Sequence, residues 1–296
     1  MKNGPLEEHV SMAANEPENK ESKPLDMLLR WSGTTDVGRF RKNNEDAFLA
    51  LSLDAREVAR LGKVGESSFA RGDFIFAVSD GMGGHKAGEF ASSIATEKIA
   101  ELLPTVYRLD AMGMRRGSAD LLDHLFGEIH QAIIGMGRAY EECRDMGTTL
   151  SLCWFQPEWM HFCHVGDSRI YYLPRAGGIK QLTEDHTHVG WLLRTGQITE
   201  VQARFHPARN QLSQALTAGS QRIDPQHGAV GYEPGDRFVI CSDGLMDGIS
   251  PNGIDHLVRD RPERLGDVSP AEGLVRESVT ASGRDNTTAL LIEIEG

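Results

Sequence analysis

Three aspartates stand where an apolar run meets a glycine. Asp80 closes FIFAVSD and precedes Gly81; Asp243 closes FVICSD and precedes Gly244; Asp167 closes HFCHVGD and follows Gly166. Such a run reads as a buried strand, so each carboxylate is delivered to a rim, and the glycine lets the backbone turn and approach an ion closely. Glu45-Asp46 and Asp285, in GRDNTT, are acids suited to the same use. One Asp-Gly pair is ordinary turn chemistry. Several converging carboxylates are different, because without cations they repel one another and are costly to desolvate. Mg2+ and Mn2+ take oxygen ligands, and paired cations can deprotonate a water and clamp a phosphoryl group. The residue types therefore point to a hard-metal site.

The elements that must position these acids come in blocks. Strands are expected at WSGTTDVG, DAFLALSL and DFIFAVSD. A helix is expected over 86–103, through Ala91, Ile94, Ala95, Ile99 and Leu102. The pattern over 119–139 is clearer, with Leu122, Leu125, Phe126, Ile129, Ala132, Ile133 and Met136 on one helical face. TTLSLCWF, WMHFCHVGD and RIYYLPR follow with short links, which suggests antiparallel hairpins. A helical segment is expected over 185–208, with capping-box spacing at Thr199 and Gln202 and a stop near Pro207. Ser269, Pro270 and Glu272 read as another helix start, and NTTALLIEIE as a closing strand. Strands in groups with helices inserted as pairs argue for an α+β layered sandwich over a doubly wound parallel sheet. Residues 1–29 are polar and aperiodic and read as a disordered tail ahead of one domain over 30–296.

Seven stretches carry a resemblance. TDVGRFRKNNEDAF, VSDGMGGHKAGEFAS, GTTL, HVGDSRIYYL, LTEDHT, CSDGLMDGIS and GRDNTTALL occur in order over about residues 31–295. In them the chain resembles the type 2C metal-dependent serine/threonine protein phosphatases in their bacterial form. The resemblance implies a four-layer α-β-β-α sandwich with two central antiparallel sheets and a helical flap insertion over about 185–216. It implies two central Mn2+ or Mg2+ ions, with Asp80 bridging them and Gly81 offering its carbonyl. Asp243 and Asp285 would bind the second ion, and Glu45 and Asp46 would contribute directly or through water. Asp167 resembles the acid that binds a third ion together with Asp243. Arg41 matches the arginine that grips the substrate phosphate, a task suited to a guanidinium fork. Asn286 matches an asparagine near the bound water. The proton donor is open between His85 and a metal-bound water, since Met82 stands where animal relatives carry histidine.

The partners so implied are phosphoproteins and a serine/threonine kinase whose products the enzyme reverses. A net charge of −12 and no basic patch count against nucleic acid. No run of about 18 apolar residues suggests a membrane span, and no apolar leader is visible. With four cysteines, none in C-x-x-C, a reducing compartment is expected, hence a cytoplasmic location; a monomer is expected separately. Two rivals are weighed. Cys163 and Arg169 have the C-x5-R spacing of cysteine-dependent phosphatases, but a strand-like segment follows where a helix is needed, and Asp167 sits inside the loop. The other is a catalytically silent pseudophosphatase acting as a regulatory binding module; it should have lost ligands, whereas Arg41, Asp80, Asp243 and Asp285 are all present.

Overall fold

The computed structural model describes residues 27–54, 57–83, 86–111, 117–219 and 222–296. In chain order, β1 (Leu28–Asp36), β2 (Asp46–Leu53), β3 (Val58–Arg60), β4 (Val64–Ser68) and β5 (Asp73–Met82) lead into the helix pair α1 (Lys86–Ala111) and α2 (Ser118–Ala139). Then come β6 (Gly147–Thr148), β7 (Leu150–Gln156), β8 (Trp159–Val165), β9 (Arg169–Leu173) and β10 (Lys180–Gln181). Two short helices, α3 (His188–Arg194) and α4 (Glu200–Arg204), precede β11 (Leu216–Thr217), β12 (Gln226–Gly231) and β13 (Arg237–Cys241). The chain ends with α5 (Asp243–Gly248), α6 (Pro251–Arg259), α7 (Pro270–Ala281) and β14 (Thr287–Glu295).

Two sheets form, antiparallel at every pairing. One runs β10-β9-β13-β14-β1-β4; the other runs β11-β6-β5-β7-β8-β12, with β2 and β3 added beside β5. Period two along the strands sorts their side chains between faces. Phe74, Phe76 and Val78 of β5 meet Phe238, Ile240, Leu290 and Ile292 between the sheets. Ile75 and Ala77 turn the other way, onto Ala91, Ala95, Ile99, Leu122, Phe126 and Ile129 of the α1–α2 pair. Val239, Cys241, Ala289 and Leu291 likewise turn outward onto Leu245, Ile254, Leu274 and Val275 of α5, α6 and α7. Three apolar layers thus separate four layers of structure in the order α-β-β-α. Burying one large side chain of this kind is worth about 1.5–3 kcal/mol, so the double-sided strands β5, β13 and β14 anchor the fold.

Two expectations are corrected in detail, and one element is added. Leu28 and Leu29 belong to β1 and not to a tail, because Leu29 is fully buried and pairs with Ile294; residues 1–26 lie outside those described. The helix expected over 185–208 is two short helices, since Thr195 and Gly196 (φ +70°) end α3 before Thr199 caps α4 in the anticipated capping box. The segment after FVICSD is helical from Asp243 itself, a turn too short for periodicity to reveal. All four cysteines are free and buried.

Candidate metal centre

Antiparallel register first brings two of the acids together. Asp46 opens β2 and lies opposite Asp80 near the end of β5. The next residue, Gly81, donates its N–H to the carbonyl of Glu45 at 3.1 Å. A Cβ on Gly81 would stand 2.1 Å from the Gly88 carbonyl oxygen and 2.7 Å from that of Glu45, so only glycine lets β5 pass between α1 and the Glu45 loop. The Glu45 carboxylate lies against Gly88 in the first turn of α1, its Oε2 2.7 Å from where a Cβ there would stand.

The other acids arrive from the second sheet. Asp243 begins α5 directly after β13, and Asp285 precedes β14. Ser242 would ordinarily cap α5, but its Oγ makes no cap bond and donates instead to Asp46 Oδ2 at 2.7 Å. Thr288 Oγ1 donates to the same oxygen at 2.6 Å. Asp46 is 8% exposed, and its Oδ1 is buried with no hydrogen-bond partner. Leaving such an oxygen unmatched is costly, and it is a free donor atom for a cation.

Asp167 follows β8 on a turn held from behind. Gly166 has φ +118°, and a Cβ there would stand 2.5 Å from the Thr149 side chain. Its carbonyl accepts from His186 N at 2.7 Å and from His164 Nε2 at 3.0 Å, while its N–H donates to His186 Nδ1 at 3.1 Å. Ser151 Oγ lies 2.8 Å from His164 Nδ1, so both ring nitrogens of this buried histidine are partnered. Thr148 Oγ1 donates to the Asp80 carbonyl at 2.8 Å, Thr149 Oγ1 accepts from Asp80 N at 3.1 Å, and Thr149 Oγ1 meets Ser168 Oγ at 2.8 Å. The GTTL threonines therefore tie the Asp80 strand to the Asp167 turn.

The acids feel one another. Asp80 and Asp243 are pushed well above the usual carboxylate range, first by burial and then by the surrounding charges of Asp46, Asp167 and Asp285. Burial also raises Asp46 to about 6, against hydrogen bonds from Thr288 and Ser242 that favour its charge. Asp167 is raised to about 7 by burial and by Asp185, opposed by Arg169. Asp80, Asp167, Asp243 and Asp285 each keep part of their surface open to solvent, as ligands at a cleft rim must. Among the described residues no three acids, histidines or cysteines form a finished cage. The donor set is nonetheless all-oxygen, mutually repelling and supplied with one orphaned carboxylate oxygen, which suits Mg2+ or Mn2+.

Arg41 and Asn286 complete the cluster. Arg41 Nη2 donates to Asp285 Oδ2 at 2.6 Å, and the pairing with Asp285 holds the guanidinium charged. Asn286 is 4% exposed, and both ends of its side-chain amide are hydrogen-bonded. Its Nδ2 donates to the carbonyls of Val37 and Asn43 at 2.9 and 3.0 Å, and its Oδ1 accepts from Glu45 N at 2.8 Å. Two carbonyls can only accept and an N–H can only donate, so the amide orientation is fixed. Asn286 is therefore a clasp between the Arg41–Glu45 loop and the Asp285 loop, with both N–H donors spent and one acceptor lone pair of Oδ1 left over. His85 lies outside the described residues.

The structure gathers Asp46, Asp80, Asp167, Asp243 and Asp285 with Arg41, Glu45 and Gly81 at one end of the sheets. Of the hydroxyls that back them, those of Ser242, Thr288 and Ser168 were missed in the sequence. A signal was present: Ser242 and Ser168 are immediate neighbours of Asp243 and Asp167, and Thr288 closes the NTT run after Asp285. The cysteine rival fails, because burial pushes the Cys163 thiol up and Arg169 is tied to both oxygens of Asp185 at 2.8 and 2.6 Å. The expected flap is present as α3 and α4, its neck closed by a Thr187–Leu212 bridge. Its Arg194 pairs with Glu184 at 2.9 Å and its Arg209 with Asp247 at 3.8 Å. No helix among the described residues is long and apolar enough to cross a membrane.

Known proteins resemble this chain over most of its length. The sequence model described as Protein phosphatase 2C matches residues 64–277. The protein phosphatase PhpP of Streptococcus pneumoniae is 34% identical over 261 residues, covering 88% of this chain and 95% of its own. A crystal structure of the Mycobacterium tuberculosis serine/threonine phosphatase PstP superposes with a TM-score of 0.72 at 29% identity, covering 91% of this chain and all of that one. The PstP catalytic domain in complex with two manganese ions superposes with a TM-score of 0.69 at 28% identity, with the same coverage.

Proposed function

The chain belongs to the protein phosphatase 2C family of metal-dependent enzymes, and from this we propose that it hydrolyses phosphoserine and phosphothreonine in proteins at a centre of two Mn2+ or Mg2+ ions, with a third at Asp167. The observation that carries the reading is the set of aspartates around Asp80, whose carboxyls are held above their ordinary range by burial and by one another. Asp80, the Gly81 carbonyl, Glu45 and Asp46 would hold one side of the centre, Asp243 and Asp285 the other, and Asp167 with Asp243 the third ion. Bound there, the ions supply Lewis acidity that makes water nucleophilic near neutral pH and offsets phosphoryl charge.

The chain's own groups do the rest. Arg41 exchanges its contact with Asp285 for two phosphoryl oxygens and orients the ester. Asn286 and the backing hydroxyls hold the Arg41 loop and Asp46 in place before substrate arrives. A water oxygen forms a bond to phosphorus, the bond to the serine or threonine oxygen breaks, and that oxygen takes up a proton, giving inorganic phosphate and the free hydroxyl. His85, four residues after Gly81 in sequence, is the side chain proposed to deliver that proton. The physiological role that follows is reversal of a serine/threonine kinase in the cytoplasm.

The test is turnover of a phosphothreonine peptide by purified chain with Mn2+. Chelation should abolish it. Asp243→Asn should lower kcat about 1,000-fold or more, the equivalent of several kcal/mol of lost charge stabilisation. Cys163→Ser should leave the rate largely unchanged. A folded, Mn2+-binding chain without turnover would sink the reading and favour the binding-module rival.

A further inference from the structure

Two cations at the mouth of the site have no carboxylate to answer. Lys42 follows Arg41 and Arg284 precedes Asp285; both are exposed, and neither has an ion-pair partner among the described residues. Exposed cations elsewhere are mixed: Arg30, Arg175, Arg264 and Arg276 pair with acids, whereas Arg60, Lys63, Arg138 and Lys180 have no ion-pair partner among the described residues. What sets Lys42 and Arg284 apart is their place, each one residue from a member of the Arg41–Asp285 pair beside the clustered aspartates, on a chain of net charge −12.

The two loops that carry them are fixed side by side. Arg39 N donates to the Gly283 carbonyl at 2.7 Å, Asn286 Nδ2 binds the Asn43 carbonyl at 3.0 Å, and Arg41 meets Asp285 at 2.6 Å. Lys42 and Arg284 therefore flank the Arg41–Asp285 contact from opposite loops. The Arg39 guanidinium is not free in this way, as it donates to the Thr280 carbonyl at 3.2 Å. Asp36 Oδ1, on the same loop, accepts from Gly38 N at 2.8 Å. Phe40, 73% exposed between Arg39 and Arg41, adds an apolar ledge on the same loop.

We infer that Lys42 and Arg284 form a rim that selects phosphopeptides with acidic residues next to the phosphorylated serine or threonine. The inference rests on the phosphatase reading above. An acidic peptide nearing the site meets repulsion from the aspartates, and unpaired cations outside them reverse the local field where the flanking side chains would lie. A solvated, idle cation is the ordinary alternative for an exposed lysine. It predicts no dependence of rate on the residues flanking the phosphate.

The experiment uses the full chain with Mn2+ and two phosphothreonine peptides, one with glutamates beside the phosphothreonine and one with alanines. The expected ratio of kcat/KM, acidic over neutral, is roughly 2- to 30-fold at low salt for two exposed pairs, and it should shrink toward one at high salt as screening sets in. Lys42→Glu/Arg284→Glu should abolish or invert the preference, and Lys42→Gln/Arg284→Gln should flatten it. Turnover of p-nitrophenyl phosphate, which has no flanking residues, should be unchanged in both. Equal ratios in wild type and variants, or a preference that survives high salt, would overturn the rim. A chain inert toward p-nitrophenyl phosphate as well as both peptides would overturn the phosphatase reading, whereas turnover of p-nitrophenyl phosphate without acidic preference would overturn the rim alone.

Discussion

Arg41 Nη2 lies 2.6 Å from Asp285 Oδ2, joining the loop after β1 to the loop before β14 across 244 residues of chain. A group suited to gripping phosphate is thus held by a group suited to gripping metal. The pair is partly open to solvent, with 50% and 22% of the two side chains exposed, so its net strength is modest, about 0.2–1 kcal/mol.

Removing the guanidinium should then have opposite effects on the two ligands. Arg41→Ala is expected to raise KM for a phosphothreonine peptide at least tenfold. The same change should leave Mn2+ affinity equal or up to about fivefold tighter, because Asp285 loses a competing partner. Steady-state kinetics and calorimetric Mn2+ titration read the two separately. Mn2+ binding weakened as much as substrate binding would show that the arginine is structural.

Asn286 clasps the same two loops through three hydrogen bonds. Asn286→Ala leaves the buried partner groups unmatched and should cost about 1–3 kcal/mol in urea unfolding. Its kinetic mark should be a raised KM, following the loosened Arg41 loop. A fall in kcat with KM intact would instead assign the amide a part in positioning the nucleophile.

Metal binding should release protons. Asp46 is raised to about 6 and Asp167 to about 7, so both lose protons between pH 5.5 and 7.5, and bound cations require the charged form. Mn2+ affinity is therefore expected to rise with pH over that window. Titration at pH 6.5 in buffers of differing ionisation heat should show net proton release on binding. An affinity flat from pH 5.5 to 7.5 would contradict the assignment of these acids as ligands.

His164 should make the fold acid-sensitive in its own right. Burial lowers it to about 3, far below an ordinary histidine. Below about pH 6.5 the unfolded chain takes up a proton that the folded chain refuses, so stability present at neutral pH drains away as pH falls toward 3. One proton corresponds to about 1.4 kcal/mol per pH unit. Asp46 and Asp167, raised in the fold, act with the opposite sign, so the comparison must be between variants. His164→Gln should unfold more easily at pH 7, yet lose less stability per pH unit between 6 and 4, as urea melts at several pH values would record. Equal slopes would mean that the histidine is protonated in the fold.

The amino-acid sequence by itself determined the elements and their chemistry. The continuous apolar runs of FIFAVSD and FVICSD, and the helical stripe from Leu122 to Met136, mark surfaces that must be buried, and every residue in those runs is local information. Acids at the ends of those runs announced hard-metal chemistry, and seven ordered stretches announced the family. Tertiary structure alone decided how distant pieces answer one another. Ser242 could have capped α5 and instead holds Asp46, because β13 and β14 bring it beside a residue 196 positions away. Asn286, expected near the bound water, also clasps Val37, Asn43 and Glu45, which only the packed loops reveal. Gly196 divided an expected helix, and Leu28 joined a strand for the partner it finds in Glu295. Hydrophobic periodicity is written residue by residue, but the partner of a hydroxyl or an amide is set by which strands lie side by side.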